Sequence, residues 1–213
     1  MTDAALTPTG SSDRGTRVPR PWSLLIALAV SGVAGVWAAF ALTLDKFEVL
    51  QAQIDGTQVS LDCNISVIVQ CQANLESWQG SVFFHVPNPV WGLLGWATTI
   101  VVAAALAAGA RFQTWFWLLF NLGHAAALAF CIWLMSQSIF VIGTLCPWCM
   151  VTWAAAILSF WVLTLHNLRE GRFGAWGRRA GAVLYGWWPL ITILSYLVVA
   201  AIAQLRLEFI GTL

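Results

Sequence analysis

Long apolar stretches separated by short polar segments dominate this sequence. A helix that crosses a bilayer needs about 20 apolar residues, and five stretches satisfy this requirement. They are Trp22–Leu44, Val90–Gly109, Phe112–Leu134, a stretch that starts at Ile139 or at Pro147 and ends at Leu165, and Val183–Leu205. The first stretch is too long for the apolar part of a cleaved signal peptide, and no small-residue cleavage motif follows it. The pattern predicts an all-α integral membrane protein with five spans.

Arginine and lysine predict the orientation, because they accumulate on the cytoplasmic side of membrane proteins. With a cytoplasmic N-terminus, only Lys46 and Arg206 lie outside. The residues that then lie inside are Arg14, Arg17, Arg20, Arg111, Arg169, Arg172, Arg178 and Arg179. Segment 1–21 is predicted to be a disordered cytoplasmic tail. Residues 45–89 are predicted to form an extracytoplasmic loop, 166–181 a cytoplasmic loop, and 206–213 a short extracytoplasmic tail.

Composition agrees with a membrane protein. Hydrophobic residues make up 60% of the 213 residues and charged residues only 9%, whereas soluble domains carry about 25% charged residues. The 14 tryptophans fit a chain with two membrane interfaces, where this side chain gathers. The lipid bilayer is therefore an expected partner. No nucleotide-binding loop, nucleic-acid motif or internal repeat is apparent, and no nucleic-acid partner is expected.

The predicted topology places four of the five cysteines outside or at the outer membrane edge. These are Cys63, Cys71, Cys146 and Cys149, and Cys131 lies just inside that edge. Disulfides persist in such oxidising space, so two structural disulfides and a buried thiol are one interpretation. The Cys-Pro-Trp-Cys motif instead favours redox chemistry. Seven residues separate the first pair, more than the two to four usual between zinc ligands, and no metal site is expected.

Pro147 is tolerated in the first turn of a helix, so Cys146 is a candidate N-cap of the fourth span. Cys149 then lies about one turn, ~5 Å, deeper in the membrane. We expect Cys146 to be reachable from water and Cys149 to face the bundle interior. The two-electron acceptor available there is a membrane quinone. Trp153, one further turn along the same face, offers either an aromatic wall for a flat ring or ordinary helix packing.

Polar residues also occur in the third span and in the outer loop. Gln113, His124 and Cys131 fall on one helical face, with Asn121 to one side. For His124 and Asn121, helix–helix hydrogen bonding and a cofactor contact both remain open. In the loop, Ala73–Ser81 is predicted to form a short helix with Leu75 and Trp78 on one side. The apolar linker between Cys63 and Cys71 is expected to cover something.

Several motifs in fixed order carry a family resemblance. They are Asp62-Cys63-Asn64-Ile65, Val69-Gln70-Cys71, Glu76-Ser77-Trp78-Gln79, Pro87-Asn88-Pro89-Val90-Trp91-Gly92 and Cys146-Pro147-Trp148-Cys149. Together they resemble bacterial members of the vitamin K epoxide reductase family. The resemblance implies four core helices in a bundle, an extra fifth helix, and a quinone pocket capped by the outer loop. It extends from the first span to the fourth.

The resemblance also implies roles for individual residues. Cys63 and Cys71 would carry electrons from a partner, Cys71 would attack Cys146, and Cys149 would reduce the quinone. Asn88 would hydrogen-bond a quinone carbonyl, and Trp153 would take the place of an aromatic contact that is tyrosine in the animal enzymes. We add His124 as a candidate quinone contact.

Many bacterial relatives carry a fused thioredoxin-like domain, and this chain stops at Leu213. The expected partner is therefore a separate extracytoplasmic thioredoxin-fold protein of the DsbA-like kind. The expected location is a bacterial plasma membrane, and the expected acceptor is a quinone of the menaquinone, ubiquinone or vitamin K type. The alternative functions are a membrane scaffold or transporter with structural disulfides, and a quinone-linked oxidase of a different topology.

Overall fold

The computed structural model describes residues 21–59 and 61–208. Seven α-helices and three short segments of 3₁₀ or π helix form in this part of the chain. The α-helices are α1 (Trp22–Asp55), α2 (Gln72–Glu76), α3 (Asn88–Ala107), α4 (Thr114–Ser136), α5 (Pro147–Arg169), α6 (Ala175–Leu184) and α7 (Trp188–Leu207). The predicted disorder of the N-terminal segment falls, apart from Pro21, outside the described residues. Of the predicted extracytoplasmic tail 206–213, residues 209–213 also lie outside the described residues.

Among the described residues, five helical segments are long and apolar enough to cross a membrane. They are Trp22–Asp55, Asn88–Ala107, Thr114–Ile142, Pro147–Arg169 and Ala175–Leu207. The prediction of an all-α membrane protein is thereby confirmed. The helix α1 differs most from its predicted span, because it continues to Asp55 instead of ending at Leu44. Its last turns carry Asp45, Lys46 and Glu48, so they extend past the apolar run.

The structure decides where the fourth span begins. The helix α5 starts at Pro147 with Cys146 as its N-cap. A start at Ile139 is wrong, because Ile139 belongs to a π-helical segment, Gln137–Ile142, that continues α4. Gly143 then ends that segment in the left-handed conformation at φ +78°, which glycine adopts without steric cost.

The predicted cytoplasmic loop 166–181 is mostly helical. The helix α5 continues to Arg169 and α6 already begins at Ala175. These two helices cross very closely, since a Cβ atom on Gly181 would lie 2.2 Å from the backbone nitrogen of Arg169. Only glycine permits this approach of the two helices.

The helix α5 is the centre of the bundle. It packs against α1, α4, α6 and α7, and α1 packs in turn against α3. Small residues allow α1 and α3 to approach: a Cβ atom on Gly35 would lie 2.2 Å from the ring of Trp96. The helices α3 and α4 make few contacts with each other, and a cavity fills the space between them.

The polar residues of the third span lie in three different environments. Asn121 is buried and forms helix–helix hydrogen bonds: its Nδ2 donates to Thr164 Oγ1 at 3.2 Å, and its Oδ1 accepts from Asn167 Nδ2 at 2.9 Å. Gln113 is the exposed N-cap residue of α4. Only His124 and Cys131 from the predicted polar face line the cavity.

Candidate functional site

The loop between α1 and α3 is joined to the start of α5 by backbone hydrogen bonds. Val69 and Leu145 form an isolated parallel bridge. Within it the N–H of Leu145 donates to Ile68 O at 2.7 Å, and the N–H of Gln70 donates to Leu145 O at 2.9 Å. Cys71 and Cys146 directly follow the bonded residues, so this bridge places the two cysteines side by side.

Cys63 and Cys71 are joined by a disulfide. Asn64 holds the chain between them in place, because its Oδ1 accepts hydrogen bonds from the backbone N–H groups of Cys71 at 3.0 Å and Gln72 at 3.4 Å. Of the apolar linker, Val69 is buried, but Ile65 and Val67 are 64% and 87% exposed. The expectation that the linker covers something therefore holds for Val69 and is wrong for the other two.

Cys146 lies against the loop disulfide. Its Sγ is 3.4 Å from Cys71 Sγ and accepts a hydrogen bond from the Cys149 N–H at 3.3 Å. This is the N-cap arrangement, in which the side chain accepts from a free N–H in the first turn of the helix. Cys71 and Cys146 are both 0% exposed, whereas Cys63 is 7% exposed. The expectation that water reaches Cys146 is wrong, because the loop covers it.

Asp45 contacts the other sulfur of the loop disulfide. Its Oδ2 lies 3.4 Å from Cys63 Sγ. Partial burial, and then the nearby Glu48 and Asp62 carboxylates, raise the pKa of Asp45 above its usual value. The ligand atoms of Asp45, Cys63 and Cys71 lie within 4.8 Å of one another. Metals bind thiolates, and the two sulfurs are bonded to each other, so the cluster is not a metal site in this form.

A cavity of about 580 Å³ lies beneath the loop, between α1, α3, α4 and α5. Its lining is mostly apolar and aromatic, with few polar groups, which is typical of sites for small ligands. Cys149, Trp153, Cys131, His124 and Asn88 all line it. The structure thus brings the fourth catalytic candidate and all three predicted quinone contacts into one space.

Asn88 fastens the loop as well as lining the cavity. Its Nδ2 donates to Gln79 O at 2.6 Å, and its Oδ1 accepts from the Val82 N–H at 3.1 Å. An amide nitrogen carries two hydrogens, and the bond to Gln79 uses one of them. The oxygen of Asn88 is therefore engaged by the protein, and its second N–H is the group that can serve a ligand.

His124 lies deeper, about 10 Å along α4 from Cys131 at 1.5 Å per residue. Its Nδ1 is 3.0 Å from Phe120 O, and its Nε2 is 3.4 Å from Thr99 Oγ1. A carbonyl oxygen can only accept, so the proton of the neutral ring resides on Nδ1. Nε2 is consequently a hydrogen-bond acceptor on the cavity side.

The cap of the cavity consists of α2 and the following 3₁₀ turn, Trp78–Ser81. The predicted single helix is interrupted at Ser77, which has extended backbone. As a result, Leu75 is buried while Trp78 is 67% exposed, and the prediction that they share one side is wrong. Two contacts join this cap to the bundle. Lys46 Nζ on α1 donates to Leu75 O at 2.5 Å, and the ring centroids of Trp78 and Trp133 on α4 lie 5.9 Å apart.

Two residues at this site were not predicted from the sequence. Asp45 was predicted only as the first residue of the loop 45–89. Its carboxylate directly follows the apolar stretch that ends at Leu44, and this position could have drawn attention to it. Asn64 follows Cys63 directly, and asparagine commonly bonds nearby backbone groups. Their contacts with the cysteine pair depend on how the loop folds.

The fold and the site together define a multi-span membrane oxidoreductase with two cysteine pairs. One pair is a disulfide in the loop between α1 and α3, and the other begins a membrane helix beside an apolar cavity. A model of the Vitamin K epoxide reductase family matches residues 26–164. The match covers more than half of the chain, and the protein belongs to this family. No individual curated protein matches it.

Proposed function

We propose that the protein is a quinone-linked thiol oxidase that regenerates the disulfide of an extracytoplasmic thioredoxin-fold partner. The overall reaction converts a partner dithiol and a quinone into a partner disulfide and a quinol. Two electrons and two protons move in each cycle. The proposal places the loop side of the protein outside a bacterial plasma membrane.

One observation carries the proposal: the two cysteine pairs meet at a distance suited to reaction. Reacting atoms in a near-attack geometry lie about 3–3.5 Å apart, and Cys146 Sγ is 3.4 Å from Cys71 Sγ. A structural disulfide has no need of a free thiol at this distance. Thiol–disulfide exchange requires one.

The order of exchange follows from burial. Cys63 is the slightly exposed member of the loop pair, so a partner thiolate would attack it first. Reduced Cys71 would then attack Cys146 of an oxidised Cys146–Cys149 pair, and Cys149 would leave as a thiolate. Cys149 lines the cavity, which is where its electrons would pass to the quinone.

The cavity residues fit a quinone. Trp153 is 5% exposed and lines the wall near Cys149, where an indole can stack on a flat ring. The second N–H of Asn88 could donate to a carbonyl. Nε2 of His124 could accept a hydrogen bond from the hydroxyl of the quinol. A quinone bound here would supply the two-electron acceptor for the Cys146–Cys149 thiols.

Quinone reduction by purified protein tests the proposal. The protein in detergent is given a reduced thioredoxin-fold protein and a soluble quinone, and quinol formation is followed by absorbance. We expect turnover that requires both substrates and is abolished in Cys146→Ser. Cys131→Ser is the matched control, because it removes a thiol outside both pairs. A wild-type protein that forms no quinol would contradict the proposal.

The alternative of a scaffold with structural disulfides predicts a different thiol state. Its cysteines would be fully paired and inert to alkylation during growth. The proposed oxidase should instead be found partly reduced. A partner that lacks its second active-site cysteine should be captured as a mixed disulfide with Cys63, because it can attack the Cys63–Cys71 disulfide and release Cys71 but cannot resolve the product.

A further inference from the structure

We propose that Asp45 is the catalytic base that accepts the proton of Cys63 when the loop disulfide is re-formed. The inference rests on the proposed exchange between the two cysteine pairs and assigns a residue to its last step. In that step Cys63 must attack Cys71 while Cys71 is still bonded to Cys146. A thiol is a poor nucleophile until it loses its proton.

The carboxylate is positioned for this task. Asp45 Oδ2 lies 3.4 Å from Cys63 Sγ, so the thiol of reduced Cys63 can donate to it directly. Asp45 belongs to the helical extension of α1, whereas Cys63 belongs to the loop, and the two are 18 residues apart in sequence. A rigid helix therefore presents the base to a cysteine on an irregular segment.

The surrounding charges make Asp45 a stronger base than an isolated aspartate. Glu48 on α1 and Asp62 on the loop both disfavour its negative charge, as does partial burial. Lys46 does not oppose them directly, since its ammonium group is buried and bonds Leu75 O. General bases act best when their pKa lies near the working pH, and these neighbours move Asp45 in that direction.

The step balances without an external reagent. The Cys63 proton moves to Asp45 Oδ2, and Cys63 Sγ attacks Cys71 Sγ. The Cys63–Cys71 bond forms and the Cys71–Cys146 bond breaks. Cys146 leaves as a thiolate, which the Cys149 N–H stabilises from 3.3 Å. When a partner later reduces the loop disulfide, protonated Asp45 returns the proton to Cys63.

The exchange can be measured without quinone or partner. In a Cys149→Ser protein, a pulse of diamide leaves one disulfide that moves between Cys63–Cys71 and Cys71–Cys146. Portions are quenched with acid at successive times, and the two disulfides are mapped by mass spectrometry. We expect Asp45→Asn to slow the approach to equilibrium by at least tenfold, since general bases contribute roughly 10²–10⁴, and to leave the final ratio within twofold.

Two further variants and the pH dependence separate a base from a structural residue. Asp45→Glu should recover much of the rate, and Glu48→Gln should slow the exchange less than threefold. The rate of the native site should rise with pH through the titration of Asp45 and then level off. Asp45→Asn should rise only at higher pH, where the thiol ionises unaided.

The outcomes distinguish this inference from the proposed function. A changed final ratio with an unchanged rate would show that Asp45 only shapes the loop. An Asp45→Asn protein as fast as its parent at neutral pH would overturn the assignment. If no Cys71–Cys146 bond formed even with Asp45 intact, the exchange between pairs, and not the role of Asp45, would be at fault.

Discussion

The sulfur atoms of Cys71 and Cys146 lie 3.4 Å apart, although 75 residues separate them in the sequence. Neither residue is exposed. Electron transfer between the two pairs would therefore occur between buried sulfur atoms. Of the four paired cysteines, Cys63 is the one that reaches the loop surface, and Cys149 is the one that lines the cavity.

This geometry predicts which cross-link forms when the resolving thiols are removed. Treated with diamide, Cys63→Ser/Cys149→Ser should form a stable Cys71–Cys146 disulfide, because those sulfurs already lie 3.4 Å apart. Proteolysis between the loop and α5 under non-reducing conditions should leave the two fragments joined. Cys71→Ser/Cys149→Ser keeps Cys63 and should give little cross-link. Equal cross-linking in both variants would mean that the loop moves freely.

Cys131 lines the cavity together with Cys149, but we assign it no role in the exchange. Cys131→Ala should retain most of the turnover, since a buried thiol behaves as a small hydrophobe. Cys131→Phe should lower turnover, because the larger side chain takes up cavity space that the quinone would occupy. Steady-state assays on both variants decide this point. A loss in Cys131→Ala as large as that in Cys146→Ala would place Cys131 in the relay.

Trp153 should affect quinone binding more than the chemical step. Trp153→Leu should raise KM for quinone about 2- to 12-fold, because an aromatic contact contributes about 0.5–1.5 kcal/mol. Trp115→Leu is the matched control, since Trp115 is 65% exposed on α4 and does not line the cavity. Equal KM changes in both variants would indicate a general effect on the membrane helices.

The charge bias predicts five spans with the N-terminus inside and Leu213 outside. Fusions of a compartment-sensitive reporter at Gly174 and at the C-terminus should give opposite signals, because α7 separates the two points. A third fusion at Gly56 should match the C-terminal one. The same signal at Gly174 and at the C-terminus would show that the last helix does not cross.

The membrane fold was predictable because spans are set by length and apolarity, which a single sequence displays. The ends of the helices were harder to predict where a helix continues with polar residues beyond its apolar stretch. Asp45 and Lys46 lie in α1 because helical hydrogen bonding does not stop at the membrane edge. The choice between Ile139 and Pro147 also needed the structure, since the π segment that ends at Ile142 has no clear sequence signal.

At the site, the residues were predictable, but their accessibility was not. Cys146 was expected to meet water because it begins an outward-facing helix end, and the folded loop buries it. Asn88 holds the loop through hydrogen bonds to Gln79 and Val82. These residues meet Asn88 only through the tertiary fold of the loop. The partial exposure of Cys63 likewise follows from how the loop lies.

The bridge between Val69 and Leu145 uses main-chain atoms alone. The distance between the Sγ atoms of Cys71 and Cys146 is therefore set largely by backbone hydrogen bonds. Substitutions of the exposed linker side chains Ile65 and Val67 should therefore leave the sulfur spacing unchanged. The vulnerable changes are those that alter the backbone itself, such as a proline at Gln70, whose N–H donates to Leu145 O.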